Sequence, residues 1–408
     1  MDRDGGVDWC RHWLVMGRPS QFKCIMTRSG IPPTIRTLRS LDEFTEIRRS
    51  WNALFQRTGC GTASMSAASI EAFLFHRLPL GTQAAIVIAE HDGQLIGALP
   101  LIRAERNGFV HMQTLHGLET FGIDFLIDSA WAGNLRKVLV DHVALSEPRL
   151  FSLTLLDVPG NSPTPDSCAS LSNWAIHSDL SRHASYLRTP TATNDVRASV
   201  STNFRKNLRK AETKLRARPD VRFRFISASD VHGECLDRFL ALESAGWKGK
   251  AGTAINSNER TRSFYRTLTD LLVRDGLLEW HFLEVGGSVI GGHLAVRASS
   301  TLTLLKIAYD EGYSALAPGN LLFLEMLQNE SGASRSETID CLTDMPWHRN
   351  WKMSSRPHFT ITLFPRRAVP LLVGYLPRVT ADTLRRSDRL RRLVRTVRTL
   401  RTSPERIE

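Results

Sequence analysis

The chain has 408 residues, 42% of them hydrophobic, which is too long for one typical domain and sufficient for two ordinary cores. Half of its net charge of +12 sits at the end, where ten arginines against four acidic residues between Arg378 and Glu408 leave +6, so charge by itself does not mark a nucleic-acid-binding protein. Six scattered cysteines (Cys10, Cys24, Cys60, Cys168, Cys235, Cys341) without a C-x-x-C pair suggest neither a disulfide framework nor a metal ribbon, and no apolar run reaches the length of a signal peptide or membrane span; the expectation is a soluble, unexported, cytoplasmic protein without a metal.

In chain order, residues 1–34 show no apolar period and read as a flexible extension, with Met26 as an alternative start. Leu41 to Phe55 places Phe44, Ile47, Trp51, Leu54 and Phe55 at helical spacing behind Ser40 or Asp42 as cap, and Ser66 to Phe75 reads as a second helix. Ala84–Ala89 and Leu95–Ile102 are strands around the turn at Asp92-Gly93. Short strands follow at Val110–Leu118 and Gly122–Ile127, then a helix from Asn134 and a buried strand at Leu150–Val158. Ser, Thr, Pro and Asn dominate Asn161–Ser170 and Thr189–Asn194, so a linker or domain boundary is expected somewhere between 160 and 200.

Beyond it, Ser201 to Arg218 is a strongly basic helix with Phe204, Leu208, Ala211 and Leu215 on one face. A strand at Val221–Ile226, helices at Val231–Trp247 and Thr261–Asp275, and a hairpin at Leu277–Glu284 and Val289–Arg297 come next. The hairpin repeats an earlier one: Glu90, Gly93, Ile96 and Gly97 align with Glu284, Gly287, Ile290 and Gly291 at a constant offset of 194. Two copies of one α/β unit are therefore expected, at 35–190 and 191–375, followed by a basic tail at 376–408. The second unit continues through a strand ending near Ala308, the punctuation Pro318-Gly319, and the helix-spaced Leu321, Leu322, Leu324 and Met326. Pro at the first helical position, Gly after it and the free N–H groups of a helix start make an anion site of Pro318, Gly319 and Asn320; an ordinary connection is the alternative. Strands at Thr338–Leu342 and Phe359–Phe364 close the unit around the aromatic-basic segment Trp347 to Lys352.

Four blocks, FRKNLRKAETKL (204–215), FLALESAGWKGKAGTA (239–254), LEVGGSVIGGHLAV (283–296) and LLKIAYDEGYSALAPGNLL (304–322), resemble the CelD/BcsL-type acyltransferases, a GNAT-like group associated with cellulose and other exopolysaccharides. The resemblance covers roughly 35 to 365. It implies two tandem GNAT-like units, each a mixed β-sheet flanked by helices, in the arrangement of the related FemAB-type peptidyltransferases, with the first unit degenerate because it has no Pro-Gly turn. The implied reaction is transfer of an acyl group from acetyl-CoA or another acyl-CoA to an amine or hydroxyl of a polysaccharide, sugar or lipid-linked precursor. The usual Arg/Gln-x-x-Gly-x-Gly/Ala loop is altered, with Leu316 and Leu321 at two of its positions.

Acyl transfer to an amine needs a proton acceptor near the nucleophile and a donor for the leaving group. Glu243, His293 and Asp310 are the candidate bases, His293 beside the small residues Gly291 and Gly292; a core histidine is the plain alternative. The resemblance gives Tyr309 the role of protonating the leaving thiolate. Lys306 is a candidate donor-binding cation, or the partner of Asp310 four residues on. Trp247 and Lys248 are assigned to the acceptor, as are Asp340 and Lys352, which resemble the family's closing strand and lysine loop. Two other functions stay open: aminoacyl-tRNA-dependent transfer, favoured by the basic helix, and a non-catalytic scaffold in exopolysaccharide synthesis. In the tail, Leu384, Leu390, Leu393, Val394, Val397 and Leu400 share a helical face with arginines around it, the composition of a helix that rests on an anionic inner-membrane surface or on a partner protein.

Overall fold

The computed structural model describes residues 32–117, 120–189, 193–230, 233–333 and 335–386. The first half begins with β1 (Thr34–Leu38), α1 (Leu41–Arg57), α2 (Ala67–His76), β2 (Thr82–Ala84), β3 (Ile86–His91) and β4 (Gln94–Leu99). It continues through β5 (Leu101–Arg106), β6 (Phe109–Thr114), β7 (Leu126–Ile127), α3 (Leu135–Ser146), β8 (Leu150–Pro159), α4 (Thr164–Ala169) and β9 (Trp174–Arg188). The second half begins with α5 (Thr193–Ser199), α6 (Thr202–Arg216), β10 (Arg222–Ser227), α7 (Glu234–Ala245), α8 (Trp247–Lys250) and α9 (Glu259–Arg274). Next come β11 (Leu278–Val285), β12 (Ser288–Ala298), β13 (Thr301–Tyr309), α10 (Pro318–Ala333), β14 (Thr338–Asp340), β15 (Ser354–Pro365) and α11 (Leu376–Arg386).

Helices with strong periodicity form where the sequence places them. Ser40 caps α1 by accepting from the Glu43 N–H, and Phe44, Ile47, Trp51, Leu54 and Phe55 are all buried. Ser201 caps α6 in the same way, and Leu208, Ala211 and Leu215 form its buried stripe while Lys206, Arg209, Lys210, Lys214 and Arg216 face outward. The expected strand Leu95–Ile102 is instead two strands in different sheets. Pro100 breaks it, because a residue without an N–H cannot continue the ladder. Asn134 precedes α3 but makes no side-chain cap bond.

The strands form a four-stranded sheet, β1-β3-β4-β7, and an eleven-stranded one, β10-β11-β12-β13-β14-β9-β15-β8-β6-β5-β2. Each half contributes one parallel pair, β6 with β8 and β13 with β14. Next to each parallel pair lies the long strand of the other half: β15 pairs with β8, β9 pairs with β14, and β9 and β15 pair with each other. The halves thus exchange their closing strands and share one sheet. The stretch read as a linker is the source of β9, whose polar side chains hide the strand signal because Ser181, Arg182 and Ser185 meet distant partners. Arg182 Nη2 binds buried Asp157 at 2.6 Å, and Ser185 Oγ binds Asp344 at 2.8 Å.

The repeat visible in the sequence is also a structural repeat. Both hairpins shift register at the equivalent step, between Ala89 and Glu90 and between Leu283 and Glu284. In both, the last glutamate pairs with an arginine on the first strand of its unit, Arg36–Glu90 at 3.0 Å and Arg224–Glu284 at 3.7 Å. The fold is two tandem α/β units that share one mixed sheet with flanking helices. α5, α6 and α10 cover one face of β11–β14, and α7 and α9 cover the other. α2 of the first half packs on α9, placing Ala68 and Ala72 in the core of Phe239, Phe264 and Trp280. Arg48 of α1 pins this contact through both Asp275 oxygens at 2.8 and 3.0 Å.

Candidate active site

β13 and β14 run side by side only from Thr301 to Thr303 and Thr338 to Asp340. Beyond that point β13 stays with β12 as far as Tyr309, while Cys341 and Thr343 exchange backbone hydrogen bonds with Ser185 of β9. The strands therefore part and open a gap in the sheet. The chain leaves β13 through a helical turn at Glu311–Leu316, passes Ala317 in the left-handed region (φ 47°), and starts α10 at Pro318 beside this gap. The Gly319 and Asn320 N–H groups have no acceptor among the described residues, as expected at a helix start. A Cβ at Gly319 would lie 3.6 Å from Tyr309 Cδ1, so the Tyr309 ring, half-exposed, lies against the start of α10.

A bulge decides which other side chains join them. Ala295 pairs with Leu304 but Leu294 pairs with Lys306, so Leu305 is an extra residue and the side-chain alternation changes phase there. Leu304, Ile307 and Tyr309 consequently face α10, whereas Lys306 faces α9, its Nζ 5.5 Å from the centre of the Tyr265 ring. Lys306 is thus on the opposite face from Pro318, Gly319 and Asn320. It shares that face with Glu243, which is buried on α7 and accepts from the Ile255 N–H at 2.8 Å. Asp310 turns toward its own chain, accepting from the Gly312 N–H at 2.8 Å and capping the helical turn.

His293 is enclosed beneath α10. Its Nδ1 lies 3.4 Å from Nδ1 of His281, the residue opposite it on β11. From there a buried polar string runs through Glu279 to Arg297, which grips Glu279 at 2.6 and 2.8 Å and Glu330 of α10 at 2.7 and 3.0 Å. Burial, and then the neighbouring His281, hold the His293 imidazole well below its usual pKa, so it is neutral at pH 7. Burial pushes the Glu279 carboxyl up, but hydrogen bonds from His281 and Arg297 outweigh it and bring it down to about 2. Asp157 behaves alike: burial opposes, and His358 and Arg182 bring it down to about 2.

An acid-stability profile follows from these groups. The unfolded chain takes up the His293 proton near 6.5 and the carboxyl protons near 4.5 and 3.8, whereas the folded chain resists all three. The melting temperature is expected to begin falling below about pH 6.5 and to fall steeply from about pH 4.5 toward 2, with a His293→Asn variant showing a smaller first phase, the rest of which comes from His76, His111, His142 and His348, also lowered by burial. Thermal melts across this range check it; a flat profile between pH 7 and 5 in both proteins removes the assignment to His293.

At the closed end of the gap, Asp340 accepts from Arg356 Nη2 at 2.5 Å and from the Leu342 N–H at 2.7 Å. Arg356 stacks over Tyr186 at 5.1 Å and, with Asn161, Arg188 and Thr338, lines a cleft of about 340 Å³. Tyr186, Arg188 and Arg356 escape sequence reasoning because the first two lie on β9, in the stretch read as a linker. Lys352 ends the helical turn Pro346–Trp351 in a left-handed conformation (φ 50°), exposed to solvent. The tryptophans before it pack inward, Trp351 between Phe204 and Phe323 at 5.2 and 4.8 Å, and Trp347 on Phe323 at 5.4 Å. Trp247 and Lys248 fall on α8, and their side chains lie outside the described residues.

Residues 202–349 match the acetyltransferase (GNAT) domain. No curated protein matches the sequence. Among solved structures, FemX is 12% identical with a TM-score of 0.56, covering 77% of this chain and 95% of its own. A conserved protein of unknown function from Bacteroides thetaiotaomicron VPI-5482 is also 12% identical, with a TM-score of 0.51 and coverage of 81% and 100%. A tandem GNAT protein from the clavulanic acid biosynthesis pathway is 13% identical with a TM-score of 0.43, covering 80% and 98%. At these identities the likeness is one of fold. The match at 202–349 spans α6 to the turn before β15, and so contains the gap, α10 and the buried string.

Proposed function

We propose that the chain is an acyltransferase that moves an acyl group from acetyl-CoA or another acyl-CoA to an amine or hydroxyl of a polysaccharide, sugar or lipid-linked precursor. The observation that carries the reading is the gap between β13 and β14 with the start of α10 beside it, inside the segment that matches the GNAT domain. The Gly319 and Asn320 N–H groups are suited to the donor's pyrophosphate, helped by the helix dipole. The thioester then lies in the gap. The acceptor approaches from the α7–α9 face, where Glu243 takes the proton of the attacking nitrogen or oxygen through water, and Tyr309 protonates the thiolate as the carbon–sulfur bond breaks. His293 and Asp310 serve position rather than proton transfer, the first beneath α10 and the second in the turn before it. Asp340, Arg356 and the cleft beside them receive the acceptor.

The outward cations Lys206, Arg209, Lys210 and Lys214 of α6, a helix that packs against α10, favour a second reading, in which the donor is an aminoacyl-tRNA. Thermal-shift titration separates the two. At a hundred times its dissociation constant acetyl-CoA is expected to add ~2.7 kcal/mol to the stability of the native protein. Gly319→Trp, which drives an indole into the place of the Tyr309 ring, is expected to abolish that gain. No shift in the parent protein together with full activity of Gly319→Trp sinks the coenzyme reading.

The C-terminal segment is read as a peripheral contact with an anionic membrane. No helix among the described residues is long and apolar enough to cross one.

A further inference from the structure

We propose that residues 366–386 form a built docking surface for an anionic lipid bilayer, distinct from the tail beyond Arg386, which lies outside the described residues. This does not rest on the acyl-transfer reading. The stretch is helical throughout most of its length, with one wide turn at Pro370–Tyr375 in which the Leu376 N–H donates to Leu371 O, five residues back. The wide turn sends Pro370 and Gly374 inward and Leu372 and Val373 outward.

The inner side is held at several points. A Cβ at Gly374 would fall 2.5 Å from the Phe364 ring and 3.0 Å from that of Phe151, so only glycine permits the approach. Arg378 covers the Phe364 ring at 5.0 Å and donates to Gly374 O at 3.0 Å. His177 Nε2 meets Asp382 at 2.8 Å, and Arg367 donates to the carbonyls of Ala144 and Pro148 at the end of α3.

On the outer side no such partner is found among the described residues. Val369 (42% exposed), Leu372 (63%), Val373 (65%), Leu376 (44%) and Leu384 (46%) form an apolar stripe open to solvent. Thr380 and Thr383 continue it, because their hydroxyls bond back to the carbonyls of Leu376 and Val379 and leave their methyl groups outward. An apolar stripe on a fixed helix is the geometry of an interfacial element lying in the plane of a membrane. The charge selects the kind of membrane: Arg366 adjoins the start of the stripe, and the sequence that follows its end, 385–408, carries nine arginines against three acidic residues. Anionic headgroups complement that excess, and each nearby cation strengthens binding.

The test is co-sedimentation of the full chain with phosphatidylglycerol–phosphatidylcholine vesicles and with pure phosphatidylcholine vesicles. The parent protein is expected to bind the anionic vesicles, to bind the neutral ones at least ~10-fold more weakly, and to be released as salt rises from ~0.1 to ~1 M. Leu372→Glu with Val373→Glu is expected to reduce anionic-vesicle binding on the order of 10-fold or more while leaving the melting temperature unchanged, since both side chains are exposed. Equal binding by the double variant, equal binding to both vesicle types, or no binding by the parent overturns the proposal. So does a parent dimer that the double variant dissociates without any vesicle binding, which would make the stripe a contact between two copies of this chain.

Discussion

Arg297→Met is expected to destabilise the protein by ~3–5 kcal/mol and lower its melting temperature on the order of 10 °C. The arginine makes two hydrogen bonds to Glu279 and two to Glu330, and both carboxylates are nearly inaccessible to solvent. Methionine matches its length but removes the charge, leaving two buried anions with Arg335, which reaches Glu279 at 2.8 Å and Glu330 only at 3.9 Å. An unpaired buried charge has lost its water without gaining a partner, which is why breaking such a pair is more harmful than never having had it. The loss should shrink as the pH falls toward about 4, where the orphaned carboxylates can take up protons. Chemical denaturation at pH 7 and near pH 4 checks both statements, and a penalty below ~1 kcal/mol at pH 7 would show that the string is not under electrostatic tension. The consequence for function is positional: Arg297 joins β11, β12 and the far end of α10, so it fixes the helix whose start is assigned to the donor.

Tyr309→Phe is expected to lower kcat by ~10²-fold or more while the thermal shift from acetyl-CoA persists. The ring stays, so its contact with the start of α10 stays; the hydroxyl goes, and with it the proton for the leaving thiolate. A donor whose leaving thiol is more acidic needs that proton less, and should narrow the gap between variant and parent. Equal slowing with both donors, or full activity of the variant, would assign the proton to another group. This separates Tyr309 from a merely structural ring, because loss of packing would affect both donors alike.

The repeat was legible because hairpins are local. Asp92-Gly93 and Gly286-Gly287 set their turns, alternation sets their faces, and the shared offset of 194 survives as a shared register shift. The helices α1 and α6 were legible for the same reason: a capping serine and a stripe at helical spacing need nothing from the rest of the chain. Pro318-Gly319 as a helix start falls in this class. β9 did not, since a strand whose Ser181, Arg182 and Ser185 are satisfied by Asp157, His358 and Asp344 has the composition of a loop until its partners are known.

The sequence by itself determined the strongly periodic helices, the duplicated hairpin and the strand-turn-helix at β13 and α10, because these depend on residues within a few turns of one another. Only the tertiary structure decided that the halves exchange β9 and β15, since that pairing joins segments far apart in the chain. It also decided that Lys306 and Tyr309 lie on opposite faces. A single extra residue at Leu305 reverses the alternation, and whether a strand bulges is set by its neighbour's register rather than by its own spacing.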